Sequence, residues 1–166
     1  MLRSMPPVAD DRSRVVILGS MPGRESLEKR QYYARKQNSF WRIVHGLFDA
    51  VPDDSYEARV EFALRHGVAL WDVLHECQRE GSSDSSITNE EANDFELFFR
   101  AHPSIGHVFF NGKKAARSFE RGVRLPPDIR ERLTFAVLPS TSPAHAAMRY
   151  ADKLAAWSAV RDALER

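Results

Sequence analysis

Four short, continuous apolar runs constrain this chain most: Val15–Leu18, Val68–Trp71, His107–Phe110 and Phe135–Leu138. Each is rich in β-branched or aromatic residues and none alternates with polar ones. Such runs fit strands covered on both faces, as in a parallel sheet. Each run ends abruptly in polar or turn residues: Gly19-Ser20-Met21-Pro22-Gly23, Asp72, Asn111-Gly112 and Pro139-Ser140-Thr141-Ser142-Pro143. Helical patterns lie between the runs. Phe40–Phe48 carries a broad apolar stripe. Asn93–Ala101 opens with the Asn93/Glu96 spacing of a capping box. Lys113–Arg121 stops at Gly122, and Tyr150–Leu164 aligns Leu154, Trp157, Val160 and Leu164 on one face. Alternating strands and helices predict an α/β fold: a three-layer α/β/α sandwich around a short, mostly parallel four-stranded central sheet. The 166 residues suit one domain over 14–166, with 1–13 expected to form a flexible N-terminal segment. The Ser-rich stretch Gly81–Ile87 is expected to be a loop.

Composition removes several classes. With ten Phe, four Tyr and three Trp, the chain has too much core-forming material for dominant disorder. No apolar run approaches the roughly eighteen residues of a membrane span. Residues 1–14 lack the apolar stretch of a secretory signal, and Cys77 is the only cysteine. A cytoplasmic location follows as the expectation. His75 and Cys77 lie close together, but nothing nearby completes a metal-ligand set, so no metal is expected.

The formal net charge of +1 hides an uneven distribution. Six basic residues against two acidic ones over Arg24–Arg42 give +4, and seven against three over Lys113–Arg132 give +4 again. Asp49–Glu96 has thirteen acids against three arginines, or −10. The basic windows are either solvated helix faces or a phosphate-binding face on a near-neutral protein.

In a parallel α/β sheet, ligands bind beyond the carboxyl ends of the strands. The four post-strand segments therefore converge, and they are small, polar and flanked by basic residues. With Asn38-Ser39-Phe40-Trp41, Phe110-Asn111-Gly112-Lys113 and Pro139-Ser140-Thr141-Ser142-Pro143-Ala144-His145, the set resembles the uracil-DNA glycosylase superfamily. The stretches Tyr32-Tyr33-Ala34, Leu70-Trp71-Asp72-Val73 and Gly81–Ile87 look most like its hypoxanthine-DNA (deoxyinosine) glycosylase branch, related to the mismatch-specific uracil and thymine enzymes. The resemblance runs from about Arg14 to the C-terminal helix. It implies a monofunctional enzyme that flips a deaminated base out of double-stranded, or also single-stranded, DNA and leaves an abasic site. Hypoxanthine is the leading base, with uracil or a G:U/T mismatch as the alternative. A monomer is expected, and no cofactor. A damaged-DNA-binding module without catalysis and a small-molecule nucleotide enzyme are the rivals.

One departure matters. Relatives place a water-positioning Asn or Asp at the third residue of the first turn, where this chain has Met21. A thioether cannot do that work. By resemblance the catalytic residue is then Asn38, which is equally a good helix N-cap. By resemblance too, Phe40 offers the face on which the flipped base stacks, and Ser20 and Met21 lie beside it. Asp72 either reads a base N–H or caps a helix. Asn111 is a base contact or an Asn-Gly turn, and Lys113 meets phosphate or solvent. Ser140, Thr141 and Ser142 form a hydroxyl-rich loop suited to gripping phosphates or lending a wedge. His145 either joins them or is merely exposed. Tyr32 and Tyr33 wall the pocket or pack.

Overall fold

The computed structural model describes residues 1–144 and 147–166. In chain order the elements are β1 (Leu2–Arg3), β2 (Val15–Gly19), α1 (Arg24–Lys29), α2 (Phe40–Gly46), α3 (Tyr56–Arg65), β3 (Val68–Asp72), β4 (Leu74–Gln78), β5 (Thr88–Ala92), α4 (Phe95–Ala101), β6 (His107–Asn111), α5 (Lys113–Gly122), α6 (Pro127–Arg130), β7 (Thr134–Leu138) and α7 (Tyr150–Leu164). The four apolar runs become β2, β3, β6 and β7. They pair in the order β3-β2-β6-β7, and every pairing is parallel. The register sets Val15 beside both Val68 and His107, and Gly19 beside Asp72. All four carboxyl ends therefore point the same way.

Helices flank this sheet. On one side α7 packs on β2 and α3 on β3, with α2 against both helices. Phe40 meets Trp41 and Trp157 edge-on there. Elsewhere α5 packs on β6 and β7, and Phe95, Phe98, Phe119, Phe110 and Trp71 form a second aromatic cluster. All five residues of β2 and of β3 are buried. The edge strand β7 is not fully covered, and Val137 remains 51% exposed. Continuity of apolar residues therefore marks full burial in β2 and β3 and burial of the middle of β6, but not in the edge strand β7.

A second sheet, β1-β4-β5, is antiparallel and had no expectation. The sequence of β5, Thr-Asn-Glu-Glu-Ala, carries no apolar signal because four of its five residues face solvent. Backbone pairing makes the strand, and side chains do not announce it. The same sheet changes the view of residues 1–13. Leu2 and Arg3 pair with Cys77 and Glu76, and Val8 makes two backbone hydrogen bonds with Leu70, of 2.8 and 2.9 Å. The Met5 carbonyl accepts from the indole of Trp71 and the phenol of Tyr32. The segment expected to be flexible is thus fastened to the domain.

A smaller correction concerns α4. Its N-cap is Asp94, whose carboxylate accepts from the Leu97 amide at 3.1 Å. Asn93, one residue earlier, instead donates its amide to the Asp72 carbonyl. No helix among the described residues is long and apolar enough to cross a membrane.

Ile17 sits at the centre of β2 with no exposed surface. Ile17→Ala removes its apolar contacts and leaves a cavity among strands that cannot collapse. We expect a loss of about 2–5 kcal/mol in chemical denaturation, read at an unchanged m-value.

Candidate active site

The carboxyl ends of β2, β3, β6 and β7 open into a cavity of about 830 Å³. Its lining includes the Gly19–Gly23 turn, Tyr32, Tyr33, Asn38, Asp72, Asn111 and residues 140–144. The convergence expected of the post-strand segments is thus seen. The cavity also takes in Ser82–Ser85 from the β4–β5 hairpin loop, and Arg24 and Arg35 from the first basic window.

Asp72 is the chemically extreme residue. It ends β3, is 3% exposed, and its Oδ2 is buried without a hydrogen-bond partner among the described residues. Its other carboxyl oxygen lies across Gly19 so closely that a Cβ there would come within 2.5 Å. Burial pushes the carboxyl up to about 7, the nearby Asp84 carboxylate adds to the effect, and Arg79 partly offsets it. Asp72 caps no helix. Asp84 was not foreseen as an individual residue. It sits on an exposed turn, yet its carboxyl reaches the cavity wall and accepts from Ser20 Oγ at 2.8 Å. Burial pushes it above the usual carboxylate range as well, against the pull of Ser20.

Asn111 acts as a clasp. Its amide nitrogen donates to Tyr33 Oη (3.2 Å) and Thr141 Oγ1 (3.0 Å), and its amide oxygen accepts from Thr141 N (2.9 Å). The buried Thr141 in turn accepts, at its carbonyl, from Ser39 N at 3.1 Å and Ser39 Oγ at 3.3 Å. This chain of bonds ties β6, the loop after β7 and the start of α2 together, with Asn38 next to the last link. Ser140 and Ser142 shape their own loop by accepting from Ser142 N and Ala144 N.

Asn38 lines the cavity while its Oδ1 accepts from Phe40 N at 3.0 Å. The capping and cavity roles coexist. Phe40 is elsewhere than expected: it has no exposed surface and does not line the cavity. The ring of Tyr33 covers it, stacked at 3.8 Å between centroids and 18° between planes. Tyr33 holds a left-handed backbone, φ 54°, which few non-glycine residues adopt. Ser20 and Met21 are buried in the cavity wall, Met21 at 6% exposure. Lys113 is exposed at the start of α5 and does not line the cavity. His145 lies outside the described residues.

The family profile described as the uracil DNA glycosylase superfamily matches residues 6–164. The chain belongs to that superfamily. Among similar proteins, one named hypoxanthine DNA glycosylase from Methanosarcina acetivorans is 40% identical over 114 residues, covering 68% of this chain and 72% of the relative. One of the same name from Methanosarcina barkeri is 38% identical with the same coverage. A solution NMR structure of a Methanosarcina acetivorans protein, provisionally named a uracil DNA glycosylase, superposes with a TM-score of 0.82 at 36% identity. The overlap covers 99% of this chain and 98% of that one. The superfamily fold is therefore this fold, and the cavity stands where this architecture places ligands.

The buried Asp72 has a consequence for stability. The folded state keeps a proton on this carboxyl that the unfolded chain releases at about pH 4. The native state then binds more protons between about pH 4 and 7, and stability falls as pH rises through that window. Asp72→Asn removes the cost of ionisation. Its melting temperature relative to the parent should climb from pH 4 to 8 and level off above. A difference that stays constant across that range would mean Asp72 titrates alike in both states.

Proposed function

We propose that this chain is a monofunctional DNA glycosylase that releases hypoxanthine from DNA and leaves an abasic site. One observation carries this: a single cavity at the sheet's carboxyl edge holds both a buried carboxyl, Asp72, and a half-buried amide, Asn38. The names of its Methanosarcina relatives support the same base. Hypoxanthine and uracil each offer a ring N–H beside a carbonyl, whereas adenine and cytosine offer a bare nitrogen there. Asp72 is the group that meets this edge, with Ser20 beside it. Uracil is the second base of choice on the same ground.

The flipped nucleotide enters between the basic rim and the hydroxyl-rich loop of Ser140, Thr141 and Ser142. Tyr33, and not Phe40, gives the base an aromatic face, since one side of its ring rests on Phe40 while the residue lines the cavity. Such stacking contributes roughly 1–3 kcal/mol. The glycosidic bond lengthens toward an oxocarbenium-like sugar. Asn38 Oδ1 has a second lone pair beyond the one facing Phe40 N and holds the attacking water. Met21 supplies no polar group for that purpose, which leaves the task to Asn38.

Labelled oligonucleotides carrying hypoxanthine, uracil, xanthine, a thymine mismatch or no damage, treated with alkali after incubation, test the proposal. Release of hypoxanthine is expected, and no release from any of them overturns it in favour of a binding module. Asn38→Ala should slow single-turnover release by roughly a hundred- to a thousand-fold with duplex affinity little changed. A loss below about fivefold in a folded variant would leave Asn38 only its contact with Phe40 N.

Duplex binding should weaken steeply with salt. Each phosphate contact removed lowers the slope of log affinity on log salt by about 1. Replacing Arg35, Lys36 and Lys113 together should flatten the slope by two to three units in a filter-binding titration. An unchanged slope would make these charges a solvated face.

A further inference from the structure

Four carboxyl side chains line the cavity, Glu25, Glu28, Asp72 and Asp84, and the last two are provided for differently. Asp84 receives the hydroxyl proton of Ser20. Among the described residues, no hydrogen bond reaches either oxygen of Asp72, and no salt bridge includes Asp72 or Asp84. A carboxylate that accepts a hydrogen bond tolerates its charge, while a buried one with no donor near it does not. Two like charges lining one cavity also oppose each other, which favours keeping one proton on the pair. The asymmetry in donors puts that proton on Asp72.

We infer that Asp72 works as a neutral carboxylic acid toward the departing base, and that Asp84 is the positioning residue that keeps it so. The inference rests on the proposed release of hypoxanthine. A carboxylic acid fits the lactam edge with two bonds. Its carbonyl oxygen accepts from the ring N–H, and its O–H donates to the neighbouring carbonyl oxygen of the base. When the glycosidic bond breaks, its electron pair enters the ring and charge accumulates on that carbonyl oxygen. The Asp72 proton moves onto it, so the base departs as a neutral hydroxyl tautomer. Water then adds to the sugar cation, forming the C1′–OH bond, and the proton it sheds restores Asp72. An ionised carboxylate would repel the same developing charge. The charged and titratable groups around Asp72 are the phenols of Tyr32 and Tyr33, the Asp84 carboxylate across the cavity, and the Arg79 guanidinium at the end of the hairpin. Both terminal nitrogens of Arg79 are buried without a partner among the described residues. Its charge works against the neutral form, and Asp84 and burial outweigh it.

The test is single-turnover release of hypoxanthine against pH, from about 5.5 to 9, for the parent, Asp84→Asn and Asp72→Asn. The parent should be fastest on the acid side and fall about tenfold per unit above neutrality. Asp84→Asn keeps a partner for Ser20 but removes the neighbouring charge, so its decline should begin at lower pH. Asp72→Asn should lose about a hundredfold at pH 6 and lack the decline. A decline due to titration of the base itself would persist in Asp72→Asn and would overturn the inference. So would a parent profile flat across neutrality, or an Asp84→Asn profile that coincides with it. If Asp84→Asn fails to fold, carboxyl ¹³C titration of the parent decides. The Asp72 signal, assigned by its absence in Asp72→Asn, should titrate near neutrality, and titration near pH 4 overturns the inference. If the parent releases no hypoxanthine at any pH, the proposed function has failed. If it releases hypoxanthine without these pH signatures, only the acid role has.

Discussion

The site depends on Asp72 lying across Gly19. The parallel register sets these two residues side by side at the ends of β3 and β2, and only the absent Cβ of Gly19 lets the carboxyl occupy that ground. From this follow the burial of Asp72, its lack of a hydrogen-bond donor among the described residues, and its departure from the usual acidity of a carboxyl. A strained ionisable group in a cleft is a common signature of function. Here the strain is electrostatic and is held in place by two adjacent strands of a rigid sheet.

The other cavity walls are fixed by a different device. Asn111 uses its amide to hold Tyr33 and Thr141, and Thr141 holds Ser39. Asn38 and Tyr33 are thereby set at the ends of one hydrogen-bonded brace, although they come from a loop and a helix start with little regular structure of their own. Such bracing lowers the freedom that binding must otherwise remove. The left-handed backbone of Tyr33 is affordable because its ring stacks on Phe40 and its hydroxyl is held by Asn111.

The parallel sheet was legible in the sequence because burial on both faces demands continuous apolar runs, which β2 and β3 show most fully. The gathering of Asp72, Asn111 and Ser140–Ser142 in one cavity was legible too, since topology alone brings strand ends together, whereas Asn38 reaches it from the loop before α2. What stayed hidden has physical causes. The polar strand β5 is held by backbone bonds, and the Tyr33–Phe40 stack depends on one unusual φ angle, which no residue pattern signals. Asp84 lay in a serine-rich stretch that reads as solvent-facing loop, and its arrival at the cavity requires the unforeseen hairpin. Residues 1–13 look loose because their anchors are main-chain carbonyls gripped by Trp71 and Tyr32 from outside the segment.

That anchoring has a mechanical side. β1 pairs with β4, β4 pairs with β5, and the turn between β4 and β5 carries Asp84 to Ser20. The first residues of the chain are thus the outer rail of a three-rail scaffold whose far end bears a cavity carboxylate. Trimming them, or fusing a bulky tag directly before Leu2, pulls on that scaffold and frees one edge of β4. An affinity handle placed after Arg166 would leave this rail untouched.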